Sequence, residues 1–107
     1  MLVLLDENIP HRLRLLIPGH EVRTVDFQGW KTLSNGALLN AAEQAGFDVL
    51  VTADQGIRYQ QNLEGRKIAI VVLSTNEREF VIRHVDRIVS GINSAQRAAL
   101  IGVDCGS

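Results

Sequence analysis

Apolar residues fall into short runs separated by polar stretches. They comprise Leu2–Leu5, an alternating segment from His20 to Val25, residues 48–52 around Val49-Leu50-Val51, and the continuous run Ile68–Leu73. Runs this brief and β-branched predict strands, and the continuous ones predict strands covered on both faces, as in a parallel sheet. The alternating run reads as a strand nearer an edge. Between the strands, spacing of three and four predicts helices. After Asn8, a capping residue with Pro10 in the following first turn, Leu13, Leu16 and Ile17 form a stripe that Pro18-Gly19 ends. Ser34 is placed to cap a second helix with Leu38, Leu39, Ala42 and Ala45 inward, closed by Gly46. Asn76 with Glu79 resembles a capping box, opening a helix with Val81, Val85, Ile88, Val89 and Ile92 on one face. Residues 26–33, with Trp30, read as a loop, and residues 54–65 as a loop with a short helix. Residues 95–104 read as either a last strand or a docked tail. The alternation of strand and helix predicts one domain over residues 1–107, of α/β class. Its architecture would be three-layer α/β/α around a mostly parallel central sheet.

Composition narrows the function classes. The chain has 107 residues, 46% hydrophobic and 21% charged, an ordinary balance for a folded globular domain. No run approaches the roughly 18 apolar residues of a membrane span, and Met1 leads into the first strand without a basic leader, so a cytoplasmic protein is expected. Cys105 is the single cysteine, which excludes an internal disulfide and a cysteine zinc site and predicts a free thiol near a polar terminus. His11, His20 and His84 have no zinc-like spacing and read as surface residues. The net charge of -1 argues against a broad electrostatic footprint for nucleic acid. Such binding would depend on metal ions or a local patch, for which Arg12, Arg58, Arg66 and Lys67 are the candidates.

Candidate chemistry sits where two apolar runs end. Asp6 follows Leu5, and Asp54 follows the third strand. In an open α/β sheet ligands bind beyond the carboxyl ends of the strands. If the two strands are neighbours, about 4.8 Å apart, the carboxylates can share one divalent cation. Each residue also has a plainer role: Asp6 as a strand-ending turn residue, Asp54 as a helix cap. Glu7 is expected to point elsewhere by strand alternation. Tyr59, in a polar tract near Asp54, is a candidate for stacking on a base, and Trp30 for a core or interface anchor. Trp30 and the apolar 81–92 face suggest self-association, and a homodimer is expected.

The segments Leu5-Asp6-Glu7-Asn8-Ile9-Pro10, Gly29-Trp30, Leu33-Ser34-Asn35-Gly36 and Gly46-Phe47-Asp48-Val49-Leu50-Val51-Thr52-Ala53-Asp54 resemble, in order and spacing, the small PIN-like domains. Those domains often form the toxin half of bacterial toxin-antitoxin pairs. The tract Arg58-Tyr59-Gln60-Gln61-Asn62-Leu63, followed by Ile68–Leu73, extends the likeness over nearly the whole chain. The resemblance implies a PIN-like fold, cleavage of RNA dependent on Mg2+ or Mn2+, and a small antitoxin as partner. Of the three or four acids such nucleases use, Asp6 and Asp54 match the first and a later one. The middle-helix acid is missing, since Asn35 and Ala37 stand where relatives often carry Asp or Glu. The implied site therefore has Asp6 and Asp54 as metal ligands, Asn35 as a neutral amide ligand, and Asn8 or Asn35 orienting water. Arg58 would anchor the substrate phosphate. With two carboxylates, metal binding and activity are expected to be weak. Two other readings are a catalytically silent PIN-like binding module and a phosphate-accepting receiver domain. In the receiver, Asp6-Glu7 would be the magnesium pair, Asp54 the acceptor and Ser74 the sensing hydroxyl.

Overall fold

The computed structural model describes residues 1–57, 65–95 and 99–106. Four of its strands are those the apolar runs predict: β1 (Leu2–Leu5), β2 (Glu21–Thr24), β3 (Val49–Thr52) and β4 (Ala69–Leu73). The open question over residues 95–104 resolves as a fifth strand, β5 (Leu100–Val103). All pairings are parallel, in the order β2-β1-β3-β4-β5. The middle strands β3 and β4 are buried at every residue, which is why their sequences do not alternate.

The pleat sends alternate residues into two cores, giving the three-layer architecture. Val3, Leu5, Val49, Val51 and Val71 face one side, and Leu4, Leu50, Ile70 and Val72 the other. On the first side lie a 3-10 helix (His11–Leu15) and two short α-helices after β4. On the second lie α1 (Val25–Gln28) and α2 (Asn35–Gln44), with Leu38, Leu39 and Ala42 buried. The crossovers carry an asymmetry. The β1–β2 and β4–β5 connections both pass over the first side but step in opposite directions along the sheet, so they have opposite hand. The β2–β3 connection, stepping back over the second side, shares its hand with β1–β2. One hand dominates parallel crossovers in general, and the sheet is therefore not doubly wound in the regular way.

Several local expectations change. Asn8 caps no helix. Pro10 stands at the N-cap of the 3-10 helix, because the Asn8 side chain is committed elsewhere, its Oδ1 accepting from Ala53 N–H at 3.2 Å. Part of the segment expected to be loop is α1, started by Thr24, whose Oγ1 accepts from Phe27 N–H, and stopped by Gly29 at φ 77°, a conformation glycine adopts without strain. Ser34 occupies the N-cap of α2, but its side chain makes no capping bond. Ala45 is exposed, since it already lies past the last turn.

The helix expected from Asn76 is two: α3 (Arg78–Arg83) and α4 (Val85–Asn93), broken at His84. No capping box forms, for Glu79 turns outward to Arg83 at 2.7 Å. Val81, Ile88 and Ile92 are buried on the sheet, so the apolar face read as a self-association surface is used by the core. Cys105 lies in that same core, fully buried, rather than in a polar tail. Burial first, then the nearby Asp104 carboxylate, raises the thiol's pKa, which keeps it protonated and unreactive.

At the amino edge of the sheet, Glu43 gathers the Arg66 guanidinium and the Lys67 N–H, each at 2.6 Å. Burial pushes the Glu43 carboxyl upward, but those donors outweigh it and its pKa is lowered. A depressed carboxyl stabilises the fold above its unfolded-state pKa and loses that contribution as pH falls through the folded one. Glu43→Gln is therefore expected to melt lower at neutral pH and to lose less on acidification below about pH 4.3. The two melting curves should converge in acid, as followed by circular dichroism.

Candidate functional site

β1 and β3 are paired neighbours, with Leu5 in register with Val51. Asp6 thus leaves the carboxyl end of β1 beside the end of β3, and its N–H donates to the Val51 carbonyl at 2.9 Å. Strand order steps outward in opposite directions from this pair, the place where an open sheet leaves a crevice. A cleft of about 310 Å3 lies there, its wall including Asp6, Asn8, Trp30, Lys31, Asn35 and Asp54. The two carboxylates singled out from the sequence both line it, each following one of two adjacent strands.

One hydroxyl couples them. Thr52, fully buried, donates its Oγ1 hydrogen to Asp6 Oδ2 at 2.7 Å and accepts from Asp54 N–H at 3.1 Å. Asp6, itself buried, also accepts from Glu7 N–H at Oδ1. Asp54 is held in its turn by Gly56 N–H at Oδ1 and by the Asn35 amide, whose Nδ2 donates to Oδ2 at 2.9 Å. Asn35 begins α2, so the first turn of that helix delivers a neutral donor to the carboxylate where another acid would repel it. Ala37, the other position considered for the missing acid, is exposed and off the cleft wall.

The remaining candidates divide. Asn8 is on the cleft wall with its side-chain oxygen tying the loop after β1 to Ala53. Glu7 is exposed but lines the cleft rim rather than pointing away from it. Trp30 is half-buried, its ring edge-on to Phe47 at 5.9 Å, with part of its surface on the cleft. Arg58 and Tyr59 lie outside the described residues. Arg66 and Lys67 are not beside the acids. They are at the opposite edge with Glu43. Arg12 lines a separate groove with Arg78, Glu79 and Arg83, between the 3-10 helix and α3. Sequence reading missed Lys31 and Thr52. Lys31 adjoins Trp30 in the chain and was legible only as a loop charge, whereas Thr52, two residues before Asp54, read only as the end of a strand.

For a divalent cation the donors have suitable chemistry, being hard oxygens of two carboxylates on one cleft. Among the described residues no three histidine, cysteine, aspartate or glutamate side chains are placed to hold a metal ion together. Such a pair suits an ion that keeps several of its waters, as magnesium does. No helix among the described residues is long and apolar enough to cross a membrane. Comparison with protein-family models, curated proteins and solved structures gives no match.

Proposed function

We propose that the cleft is a low-affinity Mg2+ or Mn2+ site serving RNA phosphodiester hydrolysis. The chain would be a PIN-like ribonuclease of reduced activity, the toxin of a toxin-antitoxin pair, acting in the cytoplasm, with a small antitoxin as partner and a homodimeric state. The observation that carries this reading is the convergence of Asp6 and Asp54, from adjacent parallel strands, on one cleft at the carboxyl edge. The resemblance of the sequence motifs to PIN-like domains is what implies RNA as the substrate.

Asp6 and Asp54 would hold the ion, with the Asn35 amide as a neutral neighbour. A bound divalent ion supplies positive charge against the phosphate and makes a nearby water more acidic. The protein's own groups do the rest. Thr52 fixes the orientation of Asp6, and Asn35 and Gly56 fix that of Asp54. Lys31 offers the cleft's ammonium to a substrate phosphate, and Trp30 offers an apolar wall to a base. Arg12 and Arg78, on a separate groove, would take the flanking phosphates of a longer strand. In this way a chain of net charge -1 presents local positive charge to a polyanion.

The receiver reading fits less well. Ser74 Oγ accepts from Cys105 N–H at 2.9 Å, which ties the hydroxyl to the loop after β5. That loop carries Asp104 where a receiver wants a lysine, and the β4–β5 crossover is opposite in hand to β1–β2 and β2–β3.

Calorimetry with manganese chloride is the direct test. Weak, saturable binding is expected for the native sequence, reduced at least about tenfold in Asp6→Asn, alongside manganese-dependent cleavage of single-stranded RNA. Absence of manganese binding by the native protein would leave the silent binding module as the better description.

A further inference from the structure

The geometry points to the open edge of β2 as a self-complementary surface on which a second copy of this chain adds antiparallel, centred on Val22. This inference is independent of the nuclease reading.

β2 ends the sheet, with β1 as its only neighbour. Glu21 directs its N–H to the Met1 carbonyl at 3.1 Å. Amide directions alternate along a strand, so those of Val22 and Thr24 face outward, the unpaired row that an edge offers to another chain. Among the described residues no strand pairs with that edge. A groove of about 460 Å3 runs along it, lined by Val22, Thr24, Arg14 and Phe27 among others. Phe27 is 78% exposed and Leu15, from the 3-10 helix, 69%. These are the largest apolar exposures among the described residues.

Charge selects both the occupant and the register. Glu21 and Arg23 lie on one face of the strand and already touch at 3.3 Å, with side chains 63% and 41% exposed. An antiparallel two-fold pair must set outward residues opposite outward ones, so the axis passes through a single residue of β2. An axis through Glu21 would oppose glutamate to glutamate, and one through Arg23 would oppose arginine to arginine. An axis through Val22 sets Glu21 of each copy against Arg23 of the other and lets the two Val22 residues exchange both backbone hydrogen bonds. Val22 packs on the first core, so that core continues across the axis. The two acidic clefts lie at the carboxyl ends of strands running in opposite directions, on opposite edges of the joined sheet. Loss of the dimer therefore leaves each cleft intact, and failure of this inference is separable from failure of the proposed activity.

Sedimentation equilibrium of the full chain tests it. The native protein is expected to be dimeric at high micromolar concentration. Glu21→Arg and Arg23→Glu each convert both cross-strand pairs to like charges, and each should weaken the dimer about tenfold or more. The double variant Glu21→Arg/Arg23→Glu should restore it. Glu21 is exposed and Arg23 half-buried, and circular dichroism checks that each variant is folded. Amide exchange gives a second readout, since Val22 N–H should become protected as protein concentration rises. A native monomer, or a dimer that both single variants leave unchanged, overturns the proposal.

Discussion

Asn35→Asp is expected to raise manganese affinity at least about tenfold and, with divalent ions removed, to lower stability by about 1–3 kcal/mol. Both effects follow from one hydrogen bond. In the native chain the Asn35 amide donates to Asp54 Oδ2 at 2.9 Å. Aspartate would exchange that donor for an acceptor and bring a second carboxylate against the first. Two close carboxylates either share a proton or hold a cation. With chelator the variant should melt below the native protein. With excess manganese the gap should narrow by about 1.4 kcal/mol, because a tenfold difference in affinity adds that much more to the variant than to the native protein once both sites are filled. Cleavage of RNA should rise with affinity, and Asp6→Asn in the same background should remove both gains. Ala37→Glu serves as the control: that position is exposed and off the cleft, so it should change neither quantity. Melting curves of Asn35→Asp that are identical in chelator and manganese would show that position 35 does not reach the ion.

The strands were legible because burial on both faces leaves its mark on the sequence as unbroken apolar runs, and Leu2–Leu5 and Ile68–Leu73 carry it without ambiguity. Asp6 and Asp54 were legible for a related reason, since a charged residue directly after such a run must lie at its end. The helices were harder to read. Asn8 and Asn76 have capping chemistry, but the side chain of Asn8 finds a better-placed partner in Ala53 N–H, a contact between segments far apart in sequence. Glu79 similarly prefers Arg83 on the exposed face. The break at His84 is not visible in the periodicity, because Val81, Ile88 and Ile92 stay on one face through it. Register between strands decides which polar groups meet, and nothing local encodes it. Within a loop Lys31 carries no local mark of the cleft it lines, and Thr52 is indistinguishable from any other β-branched strand residue.

Thr52 gives the sharpest separation of positioning from packing. Its hydroxyl donates to Asp6 and accepts from the Asp54 N–H, so a single oxygen sets the direction of one carboxylate and the backbone of the other. Thr52→Val keeps the shape and removes both bonds, leaving a buried carboxylate oxygen without its donor at a cost of about 1–3 kcal/mol. Groups that orient a ligand without touching the ion typically contribute 10- to 100-fold in affinity, and manganese binding should weaken by about that factor. Thr52→Ser keeps the hydroxyl and removes a buried methyl, which costs on the order of 1 kcal/mol and should leave affinity near native. A purely structural role predicts the same lower melting of both variants but manganese affinity unchanged in each. Calorimetry and thermal melts on the two variants, run beside the native protein, distinguish these outcomes. The valine variant matters most, because a structural role leaves its affinity native whereas loss of the hydroxyl that orients Asp6 weakens it, and retention of affinity in the serine variant then assigns that loss to the hydroxyl.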